Sequence, residues 1–236
     1  MSNGEILWNI SLMLLCYGYV LLVILVSSRM ERLLPVAVKD ARKFLHVMIG
    51  NLPFVIPFFT LGVYPVLIAA PFVLVTFCAS PYAPFPNIRA RLVGLAGMTE
   101  EGHRLGLVFY ATSYTVLAVA FPSQPHIIAA GVFPMAYGDA AASIIGERYG
   151  KRGYRIFAEK SLEGSAAMVF VSSLSLSLSL VVFSVLNSLP GSNAILVVLA
   201  SAIVATLVEG VSPLGFDNLT VPAASALTFL MLSGGT

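Results

Sequence analysis

Asp139 lies in an apolar run, GVFPMAYGDAAASIIG, that begins at Gly131. A carboxylate inside a membrane span costs on the order of 3 kcal/mol on insertion scales, so such an acid normally has a partner and a task. Ser143 one turn on and Glu147 two turns on extend a polar stripe toward the end of the run. A structural ion pair would need a base in mid-span, and no Lys or Arg lies there. A charged loop, Glu147 to Glu159, follows, and Lys160-Ser161-Leu162-Glu163-Gly164 opens the next apolar run. Bases beside such an acid point to an anionic ligand, phosphate above all, held next to a metal-binding carboxylate.

Three further clusters have the residue types for chemistry. In Lys160-Ser161-Leu162-Glu163-Gly164, Ser161 suits a helix N-cap, Glu163 the first turn and Lys160 a side chain reaching for head groups. The same segment also suits an anion site, because a helix amino terminus presents free amides beside Lys160, and Glu163 could hold a metal against the anion. Arg42-Lys43-Phe44-Leu45-His46 places Arg42 and His46 on one helix face. It reads either as a basic membrane anchor or as a phosphate clamp with a catalytic histidine. Glu209 and Asp217-Asn218-Leu219-Thr220-Val221-Pro222 bring two carboxylates to the junction of two apolar runs. Pro213 and Gly215 between them indicate a tight re-entry, and Asp217-Asn218 also suits an N-cap.

Other features carry less. Gly138, Ala142, Gly146 and Gly150 recur every four residues, a ridge on which a second helix can approach closely. Gly146-Glu147-Arg148-Tyr149-Gly150-Lys151-Arg152 has one residue too few between its glycines for a P-loop, and Arg where Ser or Thr belongs. His103 and His126 read as loop residues, Trp8 as an interfacial anchor, and Cys16 and Cys78 as packing residues.

The elements that must position these residues follow from composition. The chain has 236 residues, 58% hydrophobic and 10% charged, against about 25% charged in soluble domains. It therefore reads as an all-α integral membrane protein forming a single transmembrane domain over 1–236, which would be the catalytic domain if the clusters above do chemistry. Spans of about 20 residues leave room for about eight helices, expected at 6–28, 43–60, 62–80, 105–121, 126–146, 164–187, 192–211 and 218–234. The Pro81 to Pro86 run, Pro122 to Pro125 and Pro190-Gly191 separate them. The Ser-Leu alternation from Ser173 to Leu180 mimics a strand, but in a bilayer-length run it reads as helix. No cleavable signal is expected, since the first apolar run has no basic region before it.

All 13 Lys and Arg residues fall between helices one and two, three and four, or five and six. With eight spans these loops share one face, while the loops at 60–64, 122–126 and 187–193 carry no Asp, Glu, Lys or Arg. The positive-inside rule then places the basic loops in the cytoplasm and both termini outside.

Taken together, Arg42-Lys43-x-x-His46, Gly138-Asp139-Ala140-x-Ala142-x-x-x-Gly146-x-x-x-Gly150, Lys160-Ser161-x-Glu163-Gly164, Glu209 and Asp217-Asn218-x-Thr220-Val221-Pro222 resemble the polyprenol kinase family. That family includes dolichol, phytol and farnesol kinases and a CTP-dependent diacylglycerol kinase, and is distantly related to phosphatidate cytidylyltransferases. The resemblance covers about residues 42–222. It implies phosphoryl transfer, usually from CTP, to the hydroxyl of a membrane lipid alcohol, with Mg2+ or another divalent cation, at the cytoplasmic face of a cell or endoplasmic-reticulum-type membrane. Carried over by motif, Asp139, Lys160 and His46 are the catalytic candidates. Arg42, Lys43, Lys160, Ser161, Gly164 and Asn218 would bind nucleotide, and Asp139, Glu163, Glu209 and Asp217 would bind metal. Asp139 serves in this reading as metal ligand or general base.

Phosphoryl transfer needs positioning and charge neutralisation more than covalent catalysis, which suits such residues. The competing readings are CDP-lipid synthesis by the same groups, CTP-dependent diacylglycerol phosphorylation, and a transporter using Asp139 as an ion or proton site. No nucleic-acid partner is expected, and the chain resembles a bare catalytic core without the extra amino-terminal helices of eukaryotic dolichol kinases. The residues do not distinguish dolichol, phytol, geranylgeraniol and diacylglycerol, and they carry nothing on oligomeric state.

Overall fold

A computed structural model describes residues 2–33, 38–99, 104–187, 194–213 and 215–234. The described chain is helical apart from one small hairpin, and it divides into two compact units, Met1–Ser123 and Gln124–Thr236.

The first unit opens with α1 (Asn3–Leu33). Ser2 Oγ accepts the Glu5 N–H at 3.2 Å while the Glu5 carboxylate accepts the Ser2 N–H at 2.8 Å. This reciprocal capping box starts the helix three residues before the apolar run. Further along, Asn9 is fully buried and pinned to Thr60 through two hydrogen bonds, 2.6 and 3.0 Å. Trp8 remains exposed, and its indole N–H donates to the Phe58 carbonyl at 2.9 Å.

The expected helix over 43–60 is broken. α2 (Val38–Ile49) stops at Gly50-Asn51 and a 3-10 segment (Leu52–Phe58) follows. Pro53 and Pro57 lack the N–H groups an α-helix would need, and the Asn51 amide takes up the Val47 and Met48 carbonyls at the end of α2. α3 (Val63–Ala79) and α6 (Gly106–Ala120) pack together. At one end Gly62 lies against Pro122, where a Cβ would sit 2.5 Å from a carbonyl oxygen, so two of the charge-free loops meet. The stretch read as a proline-rich turn and basic loop contains two short helices, α4 (Pro86–Arg91) and α5 (Val93–Met98). The apolar face of α5 pulls it inward: Leu95 and Met98 join Val23, Ala41, Leu45, Ala79 and Leu107 in a core cluster.

In the second unit, α7 (Pro125–Phe133), a π-turn (Pro134–Gly138) and α8 (Asp139–Tyr149) form one continuous 25-residue span. The π-turn relieves the clash of the Pro134 ring with the preceding turn, and it closes when the Asp139 N–H donates to the Pro134 carbonyl. The charged loop is not featureless. β1 (Gly153–Arg155) and β2 (Glu159–Ser161) form an antiparallel hairpin in the register Gly153↔Ser161, Tyr154↔Lys160, Arg155↔Glu159. α9 (Leu162–Asn187), α10 (Ala194–Val211) and α11 (Asp217–Leu232) complete the unit. The Ser-Leu alternation is helical, with Ser175, Ser179 and Ser184 each donating to the carbonyl three residues back. Gly215, at φ +85°, makes the tight re-entry between α10 and α11.

The four-residue ridge packs on α9. A Cβ on Gly138 would lie 2.2 Å from Ser172 Oγ, one on Gly164 would lie 2.7 Å from the Ala142 carbonyl, and one on Gly146 would lie 3.0 Å from Ser161 Oγ. Small side chains on both helices thus bring the two backbones together.

Among the described residues, four helices are long and apolar enough to cross a membrane, at Asn3–Met30, Pro125–Tyr149, Leu162–Leu186 and Ala194–Val211, and Val63–Ala79 and Gly106–Ala120 are shorter apolar helices. Phe170, Val181, Val185 and Ile195 lie exposed on these surfaces, as lipid-facing residues must. The architecture is that of an all-α membrane protein with one added hairpin. Cys16 and Cys78 are both free thiols. His126, expected in a loop, is buried beside the Phe229 ring because α7 begins at Pro125 and carries it into the helix. His103 lies outside the described residues.

Gly138→Leu should drive a side chain into Ser172 and force α8 from α9, at a cost of about 1–3 kcal/mol for overpacking. Thermal unfolding in detergent should show a clear fall in midpoint. Ala141→Leu, outside the four-residue ridge, should not produce it.

Candidate active site: a lysine among acids

In the second unit, residues far apart in the sequence converge around Lys160. Its ammonium, on β2, pairs with Glu209 Oε1 of α10. The Glu209 side chain is 2% exposed and that of Lys160 21%, so the pair is largely withdrawn from water. Burial by itself would lower the Lys160 pKa. The nearby charge of Glu209, joined by those of Asp139 and Asp217, outweighs it and holds the pKa above the usual lysine value. Asp139 also acts electrostatically on both Glu209 and Asp217. Three carboxylates from α8, α10 and the start of α11 therefore share one field with one ammonium.

The strand register is what directs Lys160 inward. In an antiparallel ladder, paired residues present their side chains to the same face, and Lys160 pairs with Tyr154. The Tyr154 hydroxyl lies 2.8 Å from Ser165 Oγ, and a Cβ on Gly210 would come within 2.9 Å of it. Tyr154 thus reaches α9 and α10 beside Glu209. Sequence reasoning missed it, because a charged loop gives no sign of strand pairing.

Asp217 is buried, with a side-chain oxygen accepting both the backbone and the amide N–H of Asn218 at 2.8 and 3.1 Å. Phe216 stands at the N-cap of α11, so Asp217 enters as the first helical residue. Asn218 also donates to the Gly215 carbonyl at 3.3 Å, bracing the re-entrant turn. Ser161 caps α9 by accepting the Gly164 N–H at 3.1 Å, and Gly164 packs in the α8–α9 seam described above. Glu163 faces the other way. Its Oε2 accepts the backbone N–H groups of Lys151 and Arg152 at 3.1 and 3.3 Å, tying down the entry to the hairpin. Ser143 donates to Glu147 at 3.1 Å, as the polar stripe requires.

Arg42, Lys43 and His46 belong to α2 of the first unit. Lys43 lies 3.9 Å from Asp40. His46 is buried, with its ring 4.5 Å from that of Tyr110 and its carbonyl accepting the Tyr110 hydroxyl at 2.9 Å.

For a divalent cation the test is donor chemistry and spacing. Among the described residues no three His, Cys, Asp or Glu side chains stand close enough to enclose one ion. Magnesium does not need such a cage, since it commonly takes one or two carboxylates and completes its shell with phosphate oxygens and water. Asp139 and Asp217 are hard oxygen donors of that kind, whereas Glu209 is engaged by Lys160.

The chain is 32% identical to a phytol kinase of Synechocystis over 211 residues, covering 87% of this chain and 84% of the relative. The chain belongs to the polyprenol kinase family. A second relative within these kinases, a probable chloroplastic phytol kinase of Triticum aestivum, is 31% identical over 147 residues, 59% of this chain and 49% of the relative. No family model matches the chain, and no solved structure does.

The position of Lys160 within this kinase fold yields a separable prediction. Lys160→Ala leaves the buried Glu209 without its cation and should destabilise the protein by about 3–5 kcal/mol. The double variant Lys160→Met, Glu209→Gln should recover most of the lost thermal stability but not phosphoryl transfer. Because the folded pKa of Lys160 is raised, the stability it contributes is fully present below the ordinary lysine value and is lost only as pH rises through the folded one.

Proposed function

We propose that the protein is a CTP-dependent lipid-alcohol kinase, transferring the terminal phosphate of the nucleotide to the hydroxyl of a membrane isoprenoid alcohol. The observation carrying this reading is the partly buried ammonium of Lys160 among Glu209, Asp139 and Asp217. The two relatives bearing phytol kinase names support the alcohol as acceptor and favour the phytol or geranylgeraniol class over dolichol.

The roles follow from charge and position. Lys160 is the cation for the transferring phosphate, held in place by Glu209 until the nucleotide arrives. Asp139 accepts the proton of the attacking hydroxyl or shares a cation with Asp217, and it lies just past the π-turn, within the Pro125–Tyr149 span. A lipid hydroxyl then need not leave the membrane to react. A divalent cation on Asp139 and Asp217 would neutralise phosphate charge. Asn218 steadies Asp217, and the capped amino terminus of α9 at Ser161 and Gly164 adds its dipole for an anion. Glu163 secures the hairpin that carries Lys160. For Arg42, Lys43 and His46 the proposed role is contact with phosphate, on the strength of their motif. Eight membrane segments, with basic loops in the cytoplasm and both termini outside, complete the reading.

The experiment is product analysis with purified protein in detergent. With γ-labelled CTP and a panel of phytol, geranylgeraniol, dolichol and diacylglycerol, label should enter an isoprenyl monophosphate with release of CDP. Pyrophosphate with a CDP-lipid would instead establish a cytidylyltransferase. Label from ATP alone would remove CTP from the proposal. Asp139→Asn should lower the rate at least a hundredfold while leaving the folded yield near that of wild type. Full activity in that variant would exclude Asp139 from the mechanism.

A further inference from the structure

A hairpin whose two strands have three residues each is marginal by itself in water, so β1 and β2 must be held from outside. The outer end contributes little: Arg155 and Glu159 pair at 3.7 Å with side chains 74% and 84% exposed, and water screens such a pair. The base is fastened. The Leu162 N–H donates to the Arg152 carbonyl at 3.0 Å, and Glu163 accepts the N–H groups of Lys151 and Arg152. On the inward face, the Lys160–Glu209 pair ties β2 to α10. In the proposed reaction that tie is given up when Lys160 turns to the phosphate, at the moment when the ammonium must be best placed. A lysine stem is long and flexible, so where its ammonium can reach depends on where the strand is held.

Tyr154 supplies a tie that carries no charge. It is half-buried and stands opposite Lys160 on the same face of the hairpin, where paired side chains lie about 5 Å apart at Cβ. Its hydroxyl shares a hydrogen bond of 2.8 Å with Ser165 Oγ of α9. The same oxygen lies 2.9 Å from where a Cβ on Gly210 would stand, and the next atoms are ring carbons of Tyr154 at 3.7 and 3.8 Å. Gly210 is buried and adjoins Glu209 in α10. The missing side chain at position 210 is therefore a notch that admits the phenol oxygen beside the partner of Lys160.

We propose that Tyr154, seated in the Gly210 notch, is the positioning residue that sets the reach of Lys160 in the phosphate site. The role rests on the lipid-alcohol kinase reading and deepens it. Tyr154 acts through Lys160: it fixes the strand from which the lysine works, whether the ammonium is on Glu209 or on phosphate.

Two readouts on the whole chain in detergent test this. The first needs no substrate. Lysines are acylated with acetic anhydride, and mass spectrometry gives the ratio of Lys160 to the exposed Lys151. Lys160, paired with Glu209 and 21% exposed, should react slowly in wild type. Tyr154→Ala should raise the ratio at least fivefold, and Tyr154→Phe, which keeps the ring, should recover most of the protection. The second readout is the nucleotide KM. Tyr154→Ala should raise it at least fivefold with the alcohol KM unchanged, whereas a loss of folded protein would lower only the apparent kcat.

Gly210→Ala keeps the proposal testable if Tyr154→Ala does not fold. Filling the notch should shift both readouts at least threefold. Adding Tyr154→Phe to the same chain should reverse the shift, because it removes the one atom in close conflict with the new methyl. Lys160 as protected as in wild type in both Tyr154→Ala and Gly210→Ala would overturn the proposal. So would a Gly210→Ala defect that Tyr154→Phe does not reverse. Failure of the kinase reading looks different: the reactivity changes would appear while wild type transfers no phosphate to any alcohol.

Discussion

The second unit is organised around one electrostatic requirement: carboxylates in an apolar protein must be answered by a cation. Glu209 lies in an apolar helix and is almost fully buried. Lys160 answers it from a hairpin that would otherwise be a solvated loop. Removing one partner of such a pair is far more costly than never having had it, so the position of the hairpin is coupled to that of α10. Asp139 and Asp217 then share a charge environment already set by the pair.

Close packing makes this arrangement attainable. Lys160 lies two residues before α9, and α9 approaches α8 through glycine, alanine and serine. Without a hydrophobic driving force between helices in lipid, close backbone contact through small residues is one of the few ways to hold two helices at fixed spacing. The seam and the charged cluster are therefore one device. Gly138, at the π-turn, belongs to the seam, and its neighbour Asp139 belongs to the cluster. Ser161 and Gly164, proposed above to serve the nucleotide, also close the helix cap and the helix contact, so packing by itself constrains their residue types.

The first unit meets a different constraint. Its helices leave apolar space that no side chain fills, and its buried polar groups, such as Asn9 on Thr60 and Tyr110 on the His46 carbonyl, bond internally. Polar groups satisfied in this way let the interior remain hydrocarbon.

Length and hydropathy by themselves determined that this is a helical membrane protein, because a bilayer demands long apolar runs. Asp139, Lys160, Glu209 and Asp217 could also be singled out, since ionisable residues in such a chain are too costly to be incidental, and the fold brings the four into one field. The family motifs ran through the same residues. What depends on distant partners could not be read locally. The break of α2 at Gly50-Asn51 and the π-turn before Asp139 are responses to proline geometry. α4 and α5 exist because Leu95 and Met98 find a core to join. The hairpin register is a pairing property, and only that register sets Tyr154 beside Lys160. The separate fates of Glu209 and Glu163, one on the ammonium and the other on loop amides, were decided by where tertiary packing put their nearest donors.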